Sequence, residues 1–411
     1  MNMDIEYDIL IVGGGMVGAS LGVALADTGY RVGIIEAKPY GTPGQPSYDE
    51  RSTALALGSK QFLDRLGVWS ELTNEVAPIK HIHVSEKGRF GTVHIDASEQ
   101  NVRALGYVVP NRAFGAALLS VLKHTQNIDL IAPAEVEQVI QSENDESVEI
   151  QFLNSIPTDC LHARLVVAAD GTKSPIREKL GIPIEKHIYG QSALIANISV
   201  GKPHQGWAYE RFTPAGPMAM LPMGGDRYSL VWTHQDAELN SSLKLDDADF
   251  LSALQQCFGW RLGRFKAVGH RAAYPLGLIR SQATSHGRVV LAGNALHTLH
   301  PVAGQGFNLA LRDVEALSRL LTEGGDPGRE SLLERYQHLR EGDIRTVTNL
   351  TEAMVRLFSK RSPLPGLLRS MLFLSADGLP SLNRLLARQH MGLYGAVESS
   401  HRLQNAEKFP W

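Results

Sequence analysis

The chain has 411 residues, 43% of them hydrophobic and 20% charged, so it is long enough for two domains and too apolar to remain disordered. A net charge of -3 with no basic stripe argues against a general nucleic-acid binder. The two cysteines, Cys160 and Cys257, stand far apart and in no metal-like spacing, which points to a reducing compartment and away from a disulfide framework or a metal site.

In chain order, the first residues carry Asp4, Glu6 and Asp8 in place of the basic region of a signal peptide, and a cytoplasmic location is expected. No uninterrupted apolar run approaches the length of a membrane-spanning helix, so any membrane contact is expected to be peripheral. Ile9 to Val12 reads as a buried parallel strand, followed by Gly13, Gly15 and Gly18 in G-x-G-x-x-G spacing. Gly13 permits a tight turn, Gly15 lets backbone approach a pyrophosphate, and Gly18 lets the next helix lie close on the sheet. That helix, with Leu21, Val23 and Leu25 on its apolar side and Gly29 expected to end it, offers free N–H groups and its dipole to an anion. A second strand, Arg31 to Ile35, delivers Glu36 eighteen residues beyond Gly18, where a carboxylate accepts hydrogen bonds from ribose hydroxyls. The unit predicts a dinucleotide site.

Arg51 is expected at a loop–helix junction, ahead of a helical pattern through Leu55, Leu57, Phe62, Leu63 and Leu66. Its guanidinium suits either a bidentate phosphate contact or a solvated surface position. Ile82 to Ile95 alternates like a hairpin turning at Lys87 and Gly88, an excursion toward another domain from about residue 80 to 108. Asn111 reads as the N-cap of a helix with Arg112 in its first turn. After three further strands, the run Leu165 to Ala169 predicts another buried parallel strand, ending at Asp170-Gly171 on the carboxyl edge where open α/β sheets bind ligands. A helix from Thr172 to Leu180 is expected behind it.

From Ile188 to Tyr274 the pattern is β-rich, with Phe265 to Ala273 as its last strand and one helix, Asp247 to Phe258. Strands without crossover helices imply an antiparallel sheet inserted into the first domain. The chain returns at Val289 to Ala292, then runs through Gly293-Asn294, His297, His300 and Pro301 to Gly304-Gln305-Gly306-Phe307-Asn308, with a helix from about Leu309 to Leu321. Gly304 and Gly306 free the backbone around Gln305, so that consecutive N–H groups point at one electron-rich atom. The expected architecture is α/β: a Rossmann-like dinucleotide domain with a parallel sheet (1–185 and 279–345), an inserted antiparallel-sheet substrate domain (186–278) and a C-terminal helical segment (346–411).

Taken in order, Gly13-x-Gly15-x-x-Gly18 with Glu36, Asp170-Gly171, and Gly293-Asn294 through Pro301 to Gly304-Gln-Gly306-x-Asn308 resemble the FAD-dependent aromatic hydroxylases of the para-hydroxybenzoate hydroxylase type. Tyr209-Glu-Arg-Phe-Thr213 and Pro217-Met-Ala-Met-Leu-Pro222 narrow the resemblance to the ubiquinone-biosynthesis hydroxylases, over nearly the whole chain to about Phe358. The resemblance implies non-covalent FAD, NAD(P)H and O2 as cosubstrates, a flavin hydroperoxide, and hydroxylation of a prenylated phenol. It also implies company with other ubiquinone-biosynthesis proteins, and a homo-oligomer is a further expectation. A polyprenyl reductase or epoxidase, and a non-catalytic flavoprotein scaffold, stand as alternatives. The absence of a second G-x-G-x-x-G fits a nicotinamide that visits and leaves.

The same resemblance implies roles for individual residues. Gly13, Gly15, Gly18 and Glu36 would hold the ADP half of FAD, with Arg51 and Arg112 near the pyrophosphate and Asp170 and Gly171 contacting FAD and serving NAD(P)H use. Pro301 would lie beside the isoalloxazine, and the turn of Gly304, Gln305, Gly306 and Asn308 would offer N–H groups to its pyrimidine edge. Gly293-Asn294 stands where the wider family has Gly-Asp, so the ribityl contact lacks a charge and a looser hold on FAD is expected. His297 and His300 flank this loop and are candidates to relay a proton, against the plainer reading of solvated loop histidines. Between Val355 and Tyr394, six basic residues (Arg356, Lys360, Arg361, Arg369, Arg384, Arg388) face one acidic residue, Asp377, among many leucines. That composition predicts short basic amphipathic helices on a membrane surface or lipid-carrying partner, or else a tail packed on the two domains.

Overall fold

The structure is a computed structural model that describes residues 6–42, 51–72, 75–141, 146–153, 158–299, 304–358 and 391–392. Strand β1 (Tyr7–Val12) runs inside an eight-stranded sheet and is covered on both faces, as a run of four apolar residues requires. Helix α1 (Met16–Ala24) returns the chain to β2 (Val32–Ile35), parallel to β1 with Val12 beside Ile35. Two glycines make this possible. Gly13 has φ +105°, and a Cβ there would run into the Ala169 carbonyl; a Cβ at Gly18 would strike the Gly13 carbonyl. The helix ends at Ala24, earlier than Gly29 suggested.

Next come β3 (Ser52–Ala56), α2 (Leu57–Arg65), β4 (Ala77–Ile79), β5 (His81–Glu86), β6 (Thr92–Asp96), β7 (Gly106–Pro110) and α3 (Asn111–Lys123). The helix expected through Leu55 begins only at Leu57, because Ser52 to Ala56 pair with β7 in a three-stranded sheet ordered β3–β7–β4. Arg51 therefore precedes a strand and not a helix. Asn111 is not the cap of α3 but its first residue; Pro110 takes the cap position, and the Asn111 Oδ1 accepts the Thr53 hydroxyl at 2.8 Å. Between β4 and β7 the hairpin β5–β6 leaves to pair, in parallel, with the strand Trp207–Thr213 of another sheet, the excursion its alternation implied.

Strands β8 (Ile128–Ile131), β9 (Val136–Gln141), β10 (Val148–Phe152) and β11 (Cys160–Ala168) extend the first sheet. Of the helix expected from Thr172, only α4 (Pro175–Lys179) forms, capped by the Ser174 side chain, which accepts the Arg177 N–H. The second sheet, of nine strands, is built on β12 (Ile184–Val200), β13 (Trp207–Thr213), β14 (Gly216–Met223), β15 (Arg227–Gln235), β16 (Phe265–Val268) and β17 (Ala272–Ser281). Two helices, α5 (Asp236–Lys244) and α6 (Asp247–Phe258), accompany it where one was expected; α5 packs on the core only through Leu239 and Leu243, both part-buried, too short an apolar stripe to read. The single strand expected over 265–273 is two, β16 and β17.

The chain then returns through β18 (Ser285–His286) to β19 (Val289–Leu291), parallel to β11, and the parallel core reads β19–β11–β1–β2–β8. After β20 (His297–Thr298), helices α7 (Gln305–Leu321) and α8 (Glu330–Phe358) close the described fold. Among the described residues no helix is long and apolar enough to cross a membrane. The approach of α1 to the turn is the tightest constraint in the first unit. Gly18→Ala is therefore expected to cost about 3 kcal/mol, since overpacking against backbone leaves nothing flexible to yield. An unchanged denaturant midpoint would contradict it.

Candidate active site

The first turn of α1 is open to an anion: Gly15, at its cap, is extended, no side chain caps the helix, and no acidic residue sits in the first turn. Glu36 is held at the end of β2 by the N–H groups of Gly14 (2.9 Å) and Lys38 (3.0 Å), which fixes its carboxylate beside the glycine turn. A small, shallow concavity opens there, lined by Gly14, Gly15, Met16 and Tyr40 with α3 opposite. The Asn111 N–H donates to the Arg51 carbonyl at 2.9 Å, so Arg51 and Arg112 belong to adjoining backbone. The Arg51 guanidinium lies 4.7 Å from the Tyr274 ring centre. Arg112 is ion-paired with Glu75, half exposed on both sides, and such a pair contributes under about 1 kcal/mol, little to displace when a phosphate approaches.

At the carboxyl edge of β11, Asp170 is enclosed. Burial raises its carboxyl above the ordinary range despite bonds from Ser174 and Ile176 and the nearby Arg177. Oδ2 accepts the Ile176 N–H at 3.2 Å, whereas Oδ1 is buried with no hydrogen-bond partner among the described residues. An orphaned acceptor costs about 1–3 kcal/mol, which a cofactor hydroxyl would recover, and in that respect the site fits FAD. Gly171, with φ +90°, leaves open space beside it.

The third motif is organised by a residue that the sequence reading passed over. Asp313, on α7, is fully buried; its Oδ2 accepts the Gly293 N–H at 2.9 Å and faces His297 Nε2 at 2.7 Å, while its Oδ1 accepts Arg340 Nε of α8 at 2.8 Å. Burial alone would raise the Asp313 carboxyl, but His297, Arg340 and the Gly293 N–H more than offset it and hold it below the usual carboxylate range. Arg340 in turn bonds Asp343, which also binds Arg312 at 2.6 Å. This clamp sets the short 3-10 turn Gly293–Ala295, from which Asn294 projects exposed. It also corrects the plainer reading of His297 as a solvated loop histidine: the ring is buried, with Nε2 bound to Asp313 and Nδ1 enclosed without a partner among the described residues. His300 and Pro301 lie outside the described residues.

Helix α7 starts four residues before the expected Leu309, so Gln305, Gly306 and Asn308 form its first turn, with Gly304 (φ +62°) at the cap and no side chain capping the helix. The Asn308 side chain is fully used: Oδ1 accepts the Ala56 N–H, and Nδ2 donates to the Ala54 and Gly304 carbonyls, each at 2.8 Å. It anchors the turn to β3 and leaves only backbone to face a ring edge. The signal for Asp313 was present. Leu309, Asp313, Leu317 and Leu321 fall at four-residue spacing, which puts a carboxylate on the apolar stripe of the helix.

Residues 6–351 match the FAD binding domain family. The chain is 37% identical to the ubiquinone hydroxylase UbiL of Rhodospirillum rubrum over 94% of this chain and 89% of that protein. The chain belongs to the ubiquinone-hydroxylase group of FAD-binding proteins. A second relative, the 3-demethoxyubiquinol 3-hydroxylase of Escherichia coli, is 29% identical over 94% of this chain and 98% of its own. The p-nitrophenol 4-monooxygenase PnpA of Pseudomonas putida shares the fold with a TM-score of 0.78, at 18% identity over 96% of this chain and 99% of that one. As a member of this group the chain is a flavoprotein monooxygenase.

Removing the charge at Asp313 leaves Arg340 buried beside a neutral amide. Asp313→Asn is expected to lower stability by about 3–5 kcal/mol. Because the folded-state pKa is depressed, the carboxylate's contribution is present above about pH 4 and is lost as pH falls through the lower folded value. Denaturation curves from pH 7 to pH 3 should show the gap between wild type and variant closing on acidification. A constant gap would contradict the assignment.

Proposed function

We infer that this monooxygenase hydroxylates the ring of a prenylated phenol in ubiquinone biosynthesis, with 2-octaprenyl-6-methoxyphenol, converted to its 1,4-benzoquinol, as the first candidate, and NAD(P)H and O2 as cosubstrates. The observation that carries the reading is the position of the α7 first turn. The Ala54 side chain lies beside Gly304 and packs in a cluster with Ala208 and Leu221 of the second sheet, so the turn that would receive a flavin edge lies close to an apolar sheet face. FAD, when bound, supplies the oxidising chemistry, and the protein supplies binding, orientation and exclusion of water. Gly13, Gly15 and Gly18 would admit the pyrophosphate to α1, Glu36 would take the ribose hydroxyls, and Asp170 Oδ1 and Asn294 would meet polar groups along the linker. The N–H groups of the α7 first turn would stabilise negative charge on the reduced ring.

The relatives are named as ubiquinone hydroxylases and one name gives ring position 3, which supports the class of substrate and leaves the position in this chain to experiment. The basic stretch between Val355 and Tyr394 lies outside the described residues apart from a few positions, and we propose for it a peripheral role in collecting a lipid substrate from a membrane or partner.

Purified protein should oxidise NAD(P)H faster when a prenylated phenol is added; a scaffold without catalysis would show no stimulation. Gly15→Val should abolish FAD binding, since the branched side chain occupies the place of the pyrophosphate; full FAD content in that variant would sink the cofactor assignment. Asn294→Asp should tighten FAD by about 1 kcal/mol through a charge-assisted bond, measurable by equilibrium titration, and equal or weaker affinity would count against the role given to Asn294.

A further inference from the structure

The second sheet has two unlike faces. One is sealed by α6, with Leu194, Met218, Leu230 and Trp232 packed against Phe250 and Leu254. The other turns toward the first domain: Phe212 and Val93 pack there with Leu57 of α2, and Ala208 with Ala54 of β3. Between those two contacts the strand register draws a single row across β17, β12, β15, β14, β13 and β5, formed by Ala272, Ile195, Val231, Ala219, Glu210 and Val84. Every member is part-exposed, so the row lines open space and not a sealed core. Five of the six are apolar. Glu210 is the one charged side chain in the row, and among the described residues no ion pair or hydrogen bond engages it.

A carboxylate placed alone on an apolar, part-exposed face is poorly solvated and wants a hydrogen-bond donor. The α7 first turn is near, because the Ala54 side chain lies beside Gly304 and also packs in the apolar cluster of Ala208 and Leu221 that flanks Glu210. A phenol lying between the sheet and that turn would meet apolar side chains along its body and one acceptor for its hydroxyl. Resting on the reading of the site as a phenol hydroxylase, we propose that Glu210 receives the substrate's phenolic hydroxyl and takes its proton. The O–H bond breaks, its electron pair stays on the phenol oxygen, and the proton moves to the Glu210 carboxylate; the resulting phenolate pushes electron density into the ring carbon to be hydroxylated. Burial pushes the Glu210 carboxyl up to about 8, which brings its proton affinity toward that of a phenol; the carboxylate fraction, which grows as pH rises through that value, is the form that takes the proton, in a transfer far less uphill than to an ordinary carboxylate.

The test is Glu210→Gln in the FAD-loaded full chain, assayed with two prenylated phenols. One has an ordinary hydroxyl, and the other carries a ring nitro group, so that its hydroxyl ionises near neutral pH unaided and its phenolate absorbs visible light. The variant is expected to keep its FAD content and to lose about 10²-fold in kcat on the ordinary phenol, with turnover of the nitro compound largely retained. Bound nitrophenol should show a higher proportion of phenolate in wild type than in the variant at the same pH. Glu210→Leu, which completes the apolar row without a polar group, should show the same dependence on substrate acidity. Wild-type turnover of the ordinary phenol in Glu210→Gln, or equal losses on both phenols, would overturn the role of Glu210 while leaving the functional reading intact. Absence of phenol-stimulated oxidation in the wild type would overturn the reading itself.

Discussion

The site rests on one buried carboxylate. Asp313 ties the end of β19, the β20 histidine and helix α8 to the helix that carries the Gly304 turn, through the Gly293 N–H, His297 and Arg340. Each partner is itself buried, so the cluster tolerates no vacancy: an uncompensated charge in such surroundings is worth several kcal/mol, far more than any exposed pair on the molecule. What the clamp maintains is a relationship between two turns, Gly293–Ala295 and the start of α7, for which we propose a shared cofactor. Asn308 adds the third fixed point by stitching that start to β3.

Around this frame the two sheets divide the work. The parallel sheet presents strand ends and the α1 N-terminus, a geometry suited to phosphates and ribose hydroxyls. The second, mostly antiparallel sheet presents a face whose row of part-exposed side chains holds one carboxylate among apolar neighbours. The three-stranded sheet β3–β7–β4 lies between them and contacts both, which is how a cofactor edge and a ring substrate can be brought to one place by a chain that crosses between domains several times.

The parts legible in the sequence are those whose physics is local. A buried parallel strand must be continuously apolar, so β1, β11 and β19 announced themselves, and the glycines around α1 followed from the close approach they permit. The alternation of β5 and β6 marked the excursion because a hairpin's pattern survives wherever it docks. What was hidden depends on partners distant in sequence. Ser52 to Ala56 form a strand only because β7 supplies the ladder fifty or so residues later, and small residues there gave no pattern against a helix. Asp313 meets Arg340 across 27 residues, and His297 looked like a loop histidine until its burial was known. Glu210 received no role of its own from the sequence, since strand alternation cannot say that one face lines a cleft.

The central claim is that these two sheets hold a flavin against a phenol ring and insert an oxygen atom from O2. Incubation of the purified protein with FAD, NAD(P)H, a prenylated phenol and oxygen-18 gas, followed by mass spectrometry of the product, tests it most directly. The account predicts one heavy oxygen in a new ring hydroxyl. Label that enters only from water, or a flavin-loaded protein that consumes NAD(P)H and leaves the phenol ring unaltered, would contradict it.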